Sequence, residues 1–229
     1  MRMTGAEMVV KTLEKNGVKV VFGYPGAANC PIIDKLSFSS IKHILTRNEQ
    51  GAAHMASGYA RVTKQAGVCT ATSGPGATNL ITGIATAYMD SIPMVALTGQ
   101  VATKLIGKDA FQEVDITGAT LPFTKHSYLI KDGLDIPRVV NEAFHIANTG
   151  RPGPVLIDFP MDLLKKEFDY PEEDEDVNIR GYKLMGKANE SQVKKVAEAI
   201  KGAKKPVILA GGGVVISDAT HEFRKFVKE

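Results

Sequence analysis

The sequence predicts an α/β fold: a parallel sheet flanked by helices on both faces, followed by an incomplete second α/β unit. Three observations predict it. Short apolar runs at residues 18–22, 41–45, 67–72, 94–98 and 155–159 read as strands buried on both sides. Helix-length segments separate most of these runs, as parallel strands require. Turns rich in Gly and Pro, or in Gly alone, close three of the strand-to-helix connections: Gly23-Tyr24-Pro25-Gly26, Ser73-Gly74-Pro75-Gly76 and Gly211-Gly212-Gly213.

Taken in order, residues 4–16 read as a helix. Thr4 and Glu7 have the spacing of a capping box, and Gly17 is the stop. A strand at 18–22 and the Gly23 turn lead to a short helix around 31–36. The strand at 41–45 precedes a helix running to about residue 64, rich in Ala and Gly, which places Glu49 in its first turn. Residues 67–72 form a strand, 80–89 a helix and 94–98 a strand. Residues 99–125 read as a long irregular stretch carrying Phe111 and Gln112, and stretches of that length are often functional. A strand at 126–130, a helix at 136–147 and a strand at 155–159 complete the first domain, residues 1–165. Residues 166–188, with the run Glu172-Glu173-Asp174-Glu175-Asp176, read as an acidic linker. Residues 189–229 begin a second unit, with a helix at 191–200, a strand at 206–210 and a helix at 215–226. One strand and two helices cannot bury a core of their own, so this unit is expected to pack on the first domain or to belong to a longer protein.

Composition narrows the function classes. The chain has 229 residues, 44% hydrophobic and 23% charged, with a formal net charge of +3. The lysines are dispersed, which argues against nucleic acid. No apolar run reaches the length of about 18 residues that suggests a membrane helix. The first residues carry an acid early and no apolar core, so no signal peptide is expected. Cys30 and Cys69 read as reduced thiols of a cytoplasmic protein and receive no role. His43, His54, His126, His145 and His221 lack ligand spacing, so no metal site is assigned to this chain.

Glu49 is the strongest single candidate. A carboxylate at a helix N-terminus is ordinarily a dipole-matched residue. Here it follows a strand end, where open α/β folds place ligands, and a helix of small residues behind it permits close packing. The turn from Ser73 to Asn79 is open to two readings, a tight structural turn or a backbone cradle for a ligand. Gly211-Gly212-Gly213 is equally open between a plain turn and a phosphate loop. Arg151, in Arg151-Pro152-Gly153-Pro154, reads as a surface cation or an anion ligand.

In this order the blocks closely resemble the catalytic large subunits of acetolactate synthases, thiamine diphosphate enzymes. The matching blocks are Phe22-Gly23-Tyr24-Pro25-Gly26, Arg47-Asn48-Glu49-Gln50-Gly51-Ala52, Thr72-Ser73-Gly74-Pro75-Gly76-Ala77-Thr78-Asn79, Thr98-Gly99-Gln100-Val101, Asp109-Ala110-Phe111-Gln112-Glu113 and Gly150-Arg151-Pro152-Gly153-Pro154-Val155. The resemblance implies a pyrimidine-binding first domain and the opening of an FAD-binding, Rossmann-like middle domain. A diphosphate-binding domain holding Mg²⁺ would lie outside this chain, which alone would be an inactive half-site. It implies that Glu49 bonds the aminopyrimidine ring of the cofactor, with Pro25, Gly26, Ser73, Pro75 and Asn79 lining that pocket. Phe111 and Gln112 would place the 2-keto acid substrate. Arg151, Gly212 and Gly213 would contact a structural FAD. The implied reaction decarboxylates pyruvate and joins the fragment to a second 2-keto acid, giving acetolactate or acetohydroxybutyrate. The implied partners are a second copy in a homodimer and a regulatory small subunit. Another 2-keto acid oxidase or decarboxylase of the same cofactor group, or a non-catalytic binding fragment, are the alternatives. Ala27 stands where many members have Gly, so the turn must avoid positive φ at this residue or tolerate strain.

Overall fold

The computed structural model describes residues 1–170, 177–184 and 186–229. The acidic run 172–176 lies outside the described residues. The chain divides into two units, Met1–Tyr182 and Lys183–Glu229, with the division inside the stretch expected as linker.

In the first unit the strands are β1 (Arg2–Thr4), β2 (Val20–Gly23), β3 (Lys42–Leu45), β4 (Gly67–Ala71), β5 (Met94–Gln100), β6 (His126–Leu129), β7 (Pro154–Pro160) and β8 (Glu167–Asp169). The helices are α1 (Gly5–Lys15), α2 (Cys30–Leu36), α3 (Glu49–Thr63), α4 (Pro75–Asn79), α5 (Ile81–Met89), α6 (Ile116–Thr120), α7 (Ile136–Asn148) and α8 (Met161–Lys165). Six strands form one sheet in the order β3-β2-β4-β5-β7-β6, every neighbouring pair parallel. From β2 the chain moves outward to β3 and then returns to the other side of β2 with β4. The strand order therefore reverses between β2 and β4, where doubly wound sheets open a crevice at their C-terminal edge.

The two faces of the sheet are packed differently. Alternate strand residues point to opposite sides. Val68, Val95, Leu97, Val155, Ile157 and Phe159 face α1, α2 and α7, whose buried residues include Val9, Leu13, Ile32, Leu36, Val139 and Val140. On the other face Cys69, Ala71, Met94, Ala96 and Leu156 meet Ala52, Ala53, Ala56 and Ala60 of α3 and Ile84 and Ala87 of α5. Here the helices come close. A Cβ on Gly83 of α5 would collide with the Ala53 methyl of α3. The alanines on the buried side of α3, Ala52, Ala53, Ala56 and Ala60, are thus a packing requirement, whereas Gly58 meets nothing within 4 Å.

The expected capping box is present at α1. The Glu7 amide donates to the Thr4 hydroxyl (3.3 Å) and the Thr4 amide to the Glu7 carboxylate (2.8 Å). The bond from the Thr4 amide, with the Thr4 hydroxyl and Lys35 beside it, holds the Glu7 carboxyl below its usual range. Gly17 follows with φ +75°.

Several elements differ from expectation. β1 pairs antiparallel with β8, so a two-stranded ribbon occupies a segment read as linker. Each strand has three residues and the partners lie at opposite ends of the unit, so no local periodicity announces them. Residues 99–125 are not wholly irregular: they contain α6 and short 3-10 turns at Thr103–Leu105 and Leu121–Phe123. In the second unit α9 (Glu190–Gly202) matches its expected helix. The expected strand at 206–210 is not formed. Its backbone pairs with no neighbour among the described residues, and Val207 and Leu209 are 94% and 97% exposed. A strand needs a ladder, and the described residues of this unit supply no second strand. The helix expected at 215–226 is two helices, α10 (Gly213–Ile216) and α11 (Thr220–Lys228), broken at Asp218, whose φ is +58°.

Candidate functional site

The C-terminal ends of β3, β2, β4 and β5 are neighbours along one sheet edge, and each releases a segment that carries candidate residues. From β3 the chain passes through Thr46, Arg47 and Asn48 into α3. Asn48 is the N-cap, extended at φ −159° and ψ 166°, and its Oδ1 accepts the Gly51 amide at 2.6 Å. The Thr46 hydroxyl donates to the Asn48 carbonyl at 2.9 Å. These contacts fix Glu49 as the first helical residue, only 9% exposed, with the positive end of the helix dipole beside it. Glu49 Oε2 accepts a hydrogen bond from Asn79 Nδ2 at 3.0 Å. Among the described residues Oε1 accepts none, so one carboxylate oxygen is oriented and the other is left for a donor.

The wall around this carboxylate is built from backbone. A Cβ on Gly76 would stand 3.4 Å from Glu49 Oε1 and 2.7 Å from the Thr72 methyl. A Cβ on Gly26 would stand 2.5 Å from the same Thr72 methyl. Thr72 thus stands between the two turns, and its hydroxyl accepts the Ala28 amide at 3.1 Å. Asn29, fully buried, ties the Tyr24–Gly26 turn together. Its Oδ1 accepts the Gly26 amide at 2.8 Å, and its amide group donates to the Tyr24 carbonyl and the Thr70 hydroxyl. Ala27 is not among the residues with positive φ, as its side chain requires.

Gly74 has φ +58°, a conformation disfavoured for side-chain-bearing residues, and a Cβ there would stand 2.5 Å from the Gln112 carbonyl oxygen. That contact brings the distant Phe111–Gln112 segment onto the Gly-Pro-Gly turn. Phe111 is 88% exposed, and Gln112 itself is left-handed at φ +56°. The structure therefore gathers Glu49, Gly26, Ser73, Pro75, Asn79 and Gln112 at one edge. A buried carboxylate with one oxygen bonded to Asn79 and the other accepting no bond among the described residues, beside glycines that admit a close approach, offers an acceptor to an incoming donor.

Arg151 is not brought there. It precedes β7 at the opposite, N-terminal edge of the sheet. Its Nε donates to the Ser91 hydroxyl at 2.7 Å, and its guanidinium lies 5.9 Å from the Tyr88 ring centroid. Gly212 and Gly213 belong to the second unit, where both are exposed and Gly212 has an ordinary helical φ of −56°.

Asn48, Asn29, Thr72, Thr98, Gln100 and Asp158 are residues of this edge that sequence reasoning did not assign. Asn48 directly before a first-turn Glu has the residue type of an N-cap and could have been read so. Asn29 bonds Gly26 and Tyr24 only 3 and 5 positions away, but its Thr70 bond and the inter-element bonds of the others span 14 to 60 positions, which leaves no local signal.

A parallel sheet with a buried carboxylate in the first turn of a helix and a glycine-lined wall at its switch point defines a cofactor-binding α/β domain. Residues 3–119 match the family "Thiamine pyrophosphate enzyme, N-terminal TPP binding domain", and residues 193–229 match the "central domain" of the same enzymes; the chain belongs to the thiamine pyrophosphate enzyme family. Among curated relatives it is 54% identical over 229 residues to a probable acetolactate synthase large subunit of Methanocaldococcus jannaschii, covering 99% of this chain and 39% of that protein. It is 53% identical over 230 residues to an acetolactate synthase large subunit of Mycobacterium tuberculosis, covering 99% and 37%. It is 51% identical over 232 residues to that of Buchnera aphidicola subsp. Schizaphis graminum, covering 99% and 40%. The chain thus spans about two fifths of the length of these relatives. No helix among the described residues is long and apolar enough to cross a membrane.

Proposed function

We propose that this chain is the pyrimidine-binding part of an acetolactate synthase. When bound, thiamine diphosphate would supply a nucleophilic carbon for the pyruvate carbonyl and take up the electron pair that loss of CO₂ leaves, so that a two-carbon fragment can pass to a second 2-keto acid. Glu49 would hold a proton at the ring nitrogen facing Oε1. Asn79 fixes the other oxygen, so the carboxylate needs no reorientation during the reaction. The Gly26 and Gly76 walls let the ring lie close and keep water from the hydrogen bond, which a low local dielectric strengthens. Pro25, Ser73 and Pro75 would complete the pocket, and Gln112 with Phe111 would orient the keto acid.

The observation that carries this reading is the half-satisfied, buried Glu49 beside Gly76, in a chain of this family whose relatives are acetolactate synthases. Mg²⁺ would be held by residues outside this chain. FAD contacts at Arg151, Gly212 and Gly213 rest on resemblance alone. A homodimer in the cytoplasm is part of the same reading, and relatives called "large subunit" support a small-subunit partner.

The test is Glu49→Gln in a polypeptide carrying this chain and the further length of its relatives. Acetolactate formation is expected to fall by about 10²-fold or more, with an unchanged circular dichroism spectrum. Activity near wild type would remove Glu49 from the reaction. Release of acetyl phosphate or a free aldehyde in place of acetolactate would move the protein to another branch of the same family.

A further inference from the structure

Three polar side chains at the C-terminal end of the sheet have no part in the reading above. Thr98 and Gln100 lie on β5 and Asp158 on β7. Asp158 is 1% exposed and Gln100 3%, and Thr98 is fully buried. The Thr98 hydroxyl donates to Asp158 Oδ1 at 2.7 Å, and Gln100 Nε2 donates to Asp158 Oδ2 at 2.8 Å. The same Nε2 group donates to the Val114 carbonyl at 2.8 Å, and Gln100 Oε1 accepts the Val101 amide at 2.9 Å. Both amide hydrogens of Gln100 and its oxygen are therefore engaged, and one of those bonds leaves the sheet for the loop at 107–116.

That loop needs holding. Asp109 and Gln112 are both left-handed, at φ +52° and +56°, and each such residue persists only where its surroundings over-determine it. From the outside the Glu113 carboxylate gathers the Gly107 and Ala110 amides. From the inside the anchor is Gln100, because Val114 adjoins the Glu113 clasp, two positions beyond Gln112.

We propose that the buried Gln100–Asp158 pair is a positioning element that holds the Val114 end of this loop and so seats Gln112 against Gly74. Thr98 and Asp158 orient the Gln100 amide, and Gln100 alone touches the loop. The consequence for substrate placement rests on the function proposed above; the clamp does not.

The test is hydrogen exchange on the 229-residue chain. Gln100→Ala is expected to speed exchange of amides 107–116 at least tenfold, while those of β4, β5 and β7 keep wild-type rates. Asp158→Asn still offers Gln100 an oxygen and is expected to keep the loop protected; Asp158→Ala is expected to lose it. Unchanged loop exchange in Gln100→Ala overturns the proposal. Equal acceleration of loop and sheet also overturns it, since that is what a merely structural pair would give. If Gln100→Ala does not fold, Gln100→Met fills the space without a donor and is read by the same criterion. Its failure to fold would show that the pair holds the sheet rather than the loop, and would likewise overturn the proposal. None of these readings involves the cofactor. In the assembled enzyme, Gln100→Met is expected to raise KM for the keto acid more than it lowers kcat. A loosened loop with both constants unchanged would leave the clamp standing and remove Gln112 from the reaction.

Discussion

The two faces of the central sheet are built on opposite rules. Against α1 and α7 the sheet presents Val, Ile, Leu and Phe, and the face is apolar along the strands. Against α3 and α5 it presents Ala and Cys alongside Met94 and Leu156, and then Thr98, Gln100 and Asp158 toward the C-terminal edge. The first face fills volume. The second gives volume up so that backbones can approach, and it ends in polar groups where the candidate site begins. The difference teaches where stability and function are separated: large side chains on one side supply transfer energy, and small ones on the other supply proximity.

Two substitutions of opposite kind can break that comparison. On the large-residue face, Leu13→Ala removes a fully buried side chain packed among branched residues. Its expected cost is about 3–4 kcal/mol in urea unfolding, from lost transfer energy and the cavity left behind. A cost below about 1 kcal/mol would mean this face is not the main source of stability. On the small-residue face the informative change adds a methyl. Helix propensity alone favours Gly83→Ala by about 1 kcal/mol. Collision with the Ala53 methyl opposes it, and overpacking of this kind costs about 1–3 kcal/mol or more. Because both atoms sit on helix backbones that cannot rotate away, packing should win, with a net loss of about 1–2 kcal/mol. Ala53→Gly in the same chain should recover part of the loss, as a double-mutant cycle would show. A stabilised Gly83→Ala would mean the helices are free to separate and that α3 is not held close by its small residues.

The same contrast governs how much was legible in the sequence. Continuous apolar runs and the Thr4–Glu7 box are local patterns, and both predicted their elements. Glu49 could be placed at a helix start because Ile41, Ile44 and Leu45 precede it and small residues follow. Its partner Asn79 lies 30 positions away, and the two meet only because β3 and β4 flank β2. Gln112 reaches Gly74 through an excursion that no periodicity describes. The β1–β8 ribbon was invisible for the same reason, and the strand expected at residues 206–210 failed in the reverse sense, a good local pattern with no neighbour to pair with. Arg151 shares a conspicuous motif with the site blocks, yet it starts a strand where they end one. In a parallel sheet that puts it at the far edge.

The smallest effect concerns the polar end of the second face, and its sign is specific. Burial lifts the Asp158 carboxyl from its usual 3.8 to about 7, against the pull of hydrogen bonds from Thr98 and Gln100 and with the help of nearby Asp115. The folded chain therefore keeps a proton that the unfolded chain releases above pH ~4. The contribution to stability is full below pH ~4 and is lost as pH rises through about 7. At about 1.4 kcal/mol for each pKa unit, the loss between pH 5.5 and 7.5 is at most about 2 kcal/mol. His43 works in the opposite direction across part of this window, because burial lowers its pKa below 6.5. Glu7, Glu14, Glu113, Asp115 and Asp162 all titrate lower than usual and act only at more acid pH. Comparison of the wild-type chain with Asp158→Asn cancels these common terms. In urea unfolding the variant should match the wild type below pH ~4, exceed it already at pH 5.5, and widen that margin by at most about 2 kcal/mol by pH 7.5. Parallel stability curves across that interval would mean the carboxyl is ionised throughout, and that the small-residue face tolerates a buried charge where the large-residue face carries none.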